Sequence, residues 1–269
     1  MSLPKYICSQ VNFPICKTLE IEPTVYNAFE TSSYGIKLCA PYTLALLLIS
    51  VFCTVRMISH VESLFSSIGR SEMKTIFYLY IMANTLLIPT LCFEKYLDAS
   101  TLKFLNVLQN SFMSTTFFAL CISGYTIDKI YGIFGMKSAS FMRALCSIYF
   151  ILVSTFVHLF VSISNKEVIT ILMSFDVAFI VLYLASQSQN LKRNKGEIWG
   201  FGVLAVIFGF FILSKIHTLL GAELVADLSE RNLDNMFFYI CYTFLVIMMC
   251  HKFWLTTYDF ELECLALYQ

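Results

Sequence analysis

The chain has 269 residues, of which 58% are apolar and only 13% charged, with eighteen Lys and Arg balanced by eighteen Asp and Glu. A soluble domain of this size carries about 25% charged residues, so this composition excludes an ordinary water-soluble globule and places the chain in lipid. Zero net charge, with the cations dispersed rather than gathered into a stripe, gives no basis for nucleic-acid binding.

Residues 1–37 form the only substantial polar region before the first apolar run, and they contain Pro4, Pro14 and Pro23. They contain no basic segment followed by an apolar stretch, so the sequence predicts that this is not a cleaved signal peptide and that the first span does the targeting itself. Cys8 and Cys16 flank Pro14, and Cys39 lies at the expected membrane edge. In an oxidising compartment a Cys8–Cys16 disulfide would close a small loop; in the cytosol both would be free thiols. A metal site is disfavoured there, because no His occurs in this region to complete a ligand set.

Apolar runs then recur near 38–58, 75–93, 104–126, 141–163, 168–186, 198–217 and 236–254. Each is long enough to cross a bilayer as a helix, which predicts an all-α polytopic membrane protein with a seven-helix bundle over 38–254. A six-span or broken-helix arrangement is the alternative, because the fourth and fifth runs are separated by only Ser164 to Glu167. Ser71 is placed to cap a second helix beginning near Glu72. Within the runs, Asp176 in LMSFDVAFIVLY and His158 in VSTFVHLFVS are the ionisable groups that ask for a function or a partner. An interhelical hydrogen bond is the simpler expectation for them, as it is for Asn84, Ser111, Ser114, Thr115, Ser154 and Ser214. Gly200, Gly202 and Gly209 show no GxxxG spacing and read as ordinary membrane-helix glycines. The loop at 218–235 is acidic and reads as a solvated loop, with a short amphipathic surface helix as the alternative.

Orientation follows from the cations beside the spans. Arg56, Arg70, Lys74, Lys129, Lys137, Arg143, Lys192, Arg193, Lys195 and Lys252 fall on one side, against Lys95, Lys103, Lys166, Lys215 and Arg231 on the other. Ten against five puts the first group in the cytosol. The sequence therefore predicts a lumenal tail over 1–37 and a short acidic cytosolic tail over 255–269. The last run ends in His251, Lys252 and Trp254, which reads as an interfacial tryptophan beside a cation at the membrane exit.

No HExxH, GxGxxG, Walker or GxSxG motif occurs, and the four histidines show no ligand spacing. No catalytic residue, metal site or cofactor is expected. The loops leave no room for a soluble catalytic domain, so any activity belongs to the bundle or to protein contacts.

Three stretches carry a resemblance: Ile7-Cys8-Ser9 with Pro14-Ile15-Cys16; Ser67-Ile68-Gly69-Arg70-Ser71-Glu72; and Lys252-Phe253-Trp254 followed by Thr256, Thr257, Asp259, Leu262 and Glu263. In order and placement the chain resembles the fungal chitin synthase export chaperone family. The resemblance implies a multi-pass endoplasmic reticulum protein, not an enzyme, that has chitin synthase as its client and supports its folding and export for cell-wall chitin. It also implies a lumenal pair at Cys8 and Cys16, a first-loop motif at Gly69, Arg70 and Glu72, and a helix-exit motif at Lys252, Phe253 and Trp254. The surface near Arg70, Glu72, Lys252 and Trp254 is then the expected meeting point with vesicle export machinery. The chain departs from the family pattern in its short tail after the last span and in lacking a cysteine in the sixth loop. A seven-span receptor and a small-molecule transporter are the alternatives; the receptor lacks a DRY-like motif, since the third run ends in Ser123-Gly124-Tyr125-Thr126-Ile127-Asp128-Lys129.

Overall fold

The computed structural model describes residues 3–11, 13–19, 21, 30–33, 36–64, 69–92, 96–133, 138–163, 165–193, 198–228 and 235–267. Two short helices, α1 (Leu3–Gln10) and α2 (Pro14–Thr18), precede a two-stranded antiparallel hairpin of β1 (Glu30–Ser33) and β2 (Ile36–Cys39), paired in the register Glu30 to Cys39. Seven long helices follow: α3 (Pro41–Ser63), α4 (Arg70–Cys92), α5 (Ala99–Ile133), α6 (Ser138–Ser162), α7 (Val168–Arg193), α8 (Ile198–Leu228) and α9 (Asn235–Leu267). Pro41 opens α3 at its first turn, where its missing N–H costs nothing. Gly69 precedes α4 with φ 76°, a left-handed turn that glycine adopts without a Cβ clash.

Six of these helices, α3, α4 and α6 to α9, contain segments long and apolar enough to cross a membrane. The protein is thus an all-α polytopic membrane protein, apart from the hairpin. At 35 residues α5 has the length, but Gln109, Asn110, Ser111, Ser114, Thr115 and Thr116 dilute its apolar character. The reason for that polarity is its position. α5 packs against α4, α6 and α7, and it buries Ser111, Ser114, Thr115, Thr116, Phe117 and Leu120.

Packing runs from α3 to α4, α5, α7, α8 and α9 and back to α3, while α6 lies outside this cycle against α5. The main core draws on all seven long helices, with Phe77, Leu120, Ile180, Ile207 and Val246 among its buried members. Outward faces remain apolar: Leu48, Ile49 and Phe52 on α3 and Ile148, Ile151, Leu152 and Leu159 on α6 are each more than half exposed. In lipid, such faces need no further cover.

Several elements outrun the expected runs. α4 starts at Arg70, so Ser71 lies inside the helix and does not cap it; its Oγ accepts a hydrogen bond from Arg143 Nη2 at 2.6 Å. α8 continues to Leu228 through much of the segment read as a loop, and α9 continues to Leu267 beyond the last apolar run. Backbone hydrogen bonding carries a helix past the point where side-chain hydropathy changes, which apolar runs alone do not register.

Candidate functional site

The amino-terminal segment is folded onto the bundle. Ile7, Cys8, Val11, Ile15, Cys16, Leu19 and Ile21 are all buried. Cys8 and Cys16 are joined by a disulfide with Cα atoms 5.8 Å apart. Two asparagines hold this cap: Asn106, two turns into α5, donates through Nδ2 to the Pro14 carbonyl at 3.1 Å, and Asn235, the first residue of α9, through its Nδ2 to the Gln10 carbonyl at 2.6 Å. Ile7, Ile15 and Leu19 share an apolar cluster with Val107, Val157, Val161, Val168 and Leu172, while Val11 packs with Leu47, Leu87, Met236 and Ile240. The cap therefore sits at the end where α3, α5, α7 and α9 begin.

Beneath it α5, α7, α8 and α9 leave a cavity of about 50 Å³, roofed by Phe13 and Ile15 and lined with Asn110, Ser114, Asp176, Lys215 and Tyr239. That volume holds a few waters at about 10–15 Å³ each, far less than the 300 Å³ or so of a small-molecule site. Asp176 is 7% exposed, and its Oδ1 has no hydrogen-bond partner among the described residues. Lys215 meets it across the cavity, with Nζ 5.1 Å from the Phe211 ring centroid and 6.0 Å from that of Tyr239. An ammonium over aromatic faces beside a carboxylate is a compensated way to keep a cation inside an apolar bundle.

Lys215 is counted for orientation as a cation beside a span. It stands instead within α8, in FILSKIHTLL, and that lone cation inside an apolar run was the available signal. The structure separates Asp176 from His158, which is exposed on α6. Two of the polar residues expected to bridge helices do so. Asn84 Nδ2 donates to Ser50 Oγ at 3.3 Å between α4 and α3, and Ser114 Oγ lies 3.0 Å from Tyr149 Oη between α5 and α6. Ser111 and Thr115 instead donate to carbonyls of their own helix, at 2.8 and 2.6 Å; satisfying a hydroxyl one turn back requires no partner helix.

At the opposite end, α4, α9 and α3 meet in the main core. Met73, Ile76 and Phe77 of α4 share the main core with Phe253 and Trp254 of α9 and with Met57, Ile58 and Val61 of α3. Trp254 is 6% exposed and stacks near His251, centroids 6.3 Å apart and planes at 20°. His251 in turn meets Phe77 and His60 edge-on, each at 5.6 Å. This corrects the reading of Trp254 as an interfacial anchor: α9 turns positions 250, 253 and 254 toward α3 and α4, leaving Lys252 outside. The exposed tryptophan at this end is Trp199, at 68%. Glu72 is also buried, so of the motif residues Lys252 is exposed and Gly69 and Arg70 are half-buried. Asp259, Leu262 and Glu263 fall on α9, and nothing is described of their side chains.

Among the described residues, no group of three or more His, Cys, Asp or Glu is placed to hold a metal ion. The sequence model of the chitin synthase export chaperone family matches residues 4–265. The chain is 24% identical to the chitin synthase export chaperone of Phaeosphaeria nodorum, over 95% of this chain and 82% of that protein. It is 22% identical to the chaperone of the same description from Gibberella zeae, over 95% and 82%. With that of Aspergillus fumigatus the identity is 26%, over 80% and 67%. No solved structure matches the chain.

Proposed function

The chain belongs to the chitin synthase export chaperone family, and from that membership we propose that it acts as a dedicated membrane chaperone in the endoplasmic reticulum, with chitin synthase as its client. The match over residues 4–265 carries this reading, because it takes in the cap, the bundle and most of α9. The protein holds client helices against its outward apolar faces until the synthase is assembled and leaves the reticulum. It performs no chemistry on the client.

In this reading all seven long helices cross the membrane, α5 as the interior one whose polar residues are turned toward its neighbours. The cap is lumenal and the opposite end cytosolic. Support comes from the disulfide, which suits an oxidising compartment, and from the gathering of Arg56, Arg70, Lys74, Arg143, Lys192, Arg193 and Lys252 at the other end. Glu72, Phe253 and Trp254 give the cytosolic face its shape, and Arg70 and Lys252 present it to export machinery. The Asp176 and Lys215 cavity is a structural centre, since its volume leaves no room for a transported solute.

The test is to express the wild-type chain, Arg70→Ala and Lys252→Ala in cells lacking it, then localise chitin synthase and measure its co-purification. The wild-type chain restores exit of the synthase from the reticulum. The two variants retain client binding and slow exit. Normal synthase exit in cells without the protein would overturn the function; normal exit with both variants would overturn the role of the two cations.

A further inference from the structure

A groove between α4 and α6, at the end opposite the cap, has features that neither the cap nor the motif residues account for. It measures about 380 Å³ and is lined by Ser71, Lys74, Thr75, Tyr78 and Met82 of α4 and by Arg143 of α6. The α4 positions follow helical spacing and form one stripe. Its chemistry changes with depth. Hydroxyls and two cations stand at the mouth, Tyr78 is one turn further in at 52% exposure, and Met82 a turn beyond at 47%. At 1.5 Å per residue, Ser71 to Met82 spans about 16 Å along the helix, the scale of a lipid headgroup with the first part of its acyl chains.

We propose that this groove binds the headgroup and upper acyl chain of an anionic phospholipid from the adjoining leaflet. Arg143 is already held at the mouth by its hydrogen bond to Ser71, and its remaining N–H groups suit a phosphate fork. Lys74 Nζ lies 3.2 Å from Glu62 Oε1, with the two side chains 25% and 51% exposed. An exposed pair of that kind is worth about 0–1 kcal/mol, so a phosphate shares Lys74 with little loss. Among the described residues, Glu62 is the carboxylate that reaches the mouth, through Lys74, and Glu72 is buried in the core. The described groups at the mouth, Lys74, Arg143 and Glu62, thus carry a net positive charge. Tyr78 stands at the depth of the ester linkages, where an amphipathic ring is favoured, and Met82 with half-buried Leu79 offers an adaptable apolar floor. A basic cleft between spanning helices is how membrane proteins select anionic headgroups. This inference rests on the membrane-spanning helices and not on the identity of the client.

The test uses the full chain purified in detergent and titrated with dioleoyl phosphatidylserine, phosphatidic acid or phosphatidylcholine, with bound lipid read by native mass spectrometry. The wild type retains the anionic lipids about tenfold better than phosphatidylcholine. Lys74→Ala/Arg143→Ala loses that preference, Glu62→Gln strengthens it a few-fold, and Lys192→Ala/Arg193→Ala leaves it unchanged. Met82→Trp, which fills the apolar floor without touching a charge, weakens retention and serves if the double variant fails to fold. Equal retention of phosphatidylcholine, or full retention in both groove variants, would overturn the site. Complete displacement by millimolar inorganic phosphate would reassign it to a free anion and overturn the lipid.

Discussion

Asp176 and Lys215 show what a single buried charge demands in this protein. The carboxylate has an unpartnered oxygen, and the ammonium faces it across a cavity too small for bulk water. Removing one partner leaves the other uncompensated, so Asp176→Leu or Lys215→Met alone lowers stability by about 3 kcal/mol, while the double change recovers most of it. Thermal unfolding in detergent, followed by size-exclusion, measures both; additive losses would show that the two groups do not interact. Trp254 and Lys252 divide in the same way at the other end. Trp254→Ala opens a cavity in the core beside His251 and costs about 3–5 kcal/mol. The steady-state level of the protein therefore falls, whereas Lys252→Ala leaves it unchanged, as immunoblotting of membranes reports.

Contacts between elements turn on small surfaces. A Cβ on Gly124 of α5 would strike Ser186 Oγ and approach Tyr183 and Gln187 of α7, at the place where Asn190 Nδ2 donates to the Gly124 carbonyl at 3.2 Å. Gly124→Val forces the two helices apart at a cost of about 1–3 kcal/mol, while Gly209→Ala, with nothing within 4 Å of its Cβ, is neutral. Comparative melting temperatures of the two variants check this. The cap is a second such element. Its disulfide closes a sequence separation of 8 residues, a loop for which chain entropy assigns about 2–3 kcal/mol. Cys8→Ser/Cys16→Ser unfolds at lower temperature than wild type, and reductant shifts the wild type but not the variant. An equal reductant effect on both would place the effect elsewhere.

For the whole molecule, the cap makes one end of the bundle unlike the other. Seven buried apolar residues of the cap cover the starts of α5, α7 and α9 and the ends of α4 and α6. A chain lacking residues 1–21 keeps its apolar spans and inserts in the membrane, yet exposes Val107, Val168 and Leu172 and self-associates. Crosslinking in membranes would then show higher oligomers, and chitin synthase would remain in the reticulum. Monomeric behaviour with normal synthase exit would show that the cap is dispensable.

Lipid solubility, the places of the long helices and the absence of familiar catalytic motifs could all be read along the chain, because a bilayer imposes its thickness and polarity on every crossing segment independently. The three family-like stretches could be read too, since they are local strings of residues. What the linear pattern could not assign was direction. Trp254 faces the core because α9 presents that side to α3 and α4, Lys215 faces a cavity because α8 is rotated toward α7, and His158 faces outward on the helix outside the cycle. Only tertiary structure decided those rotations, and it also turned a polar tail into a roof. Hydropathy records how much of a segment avoids water, whereas packing decides which neighbour each side chain meets.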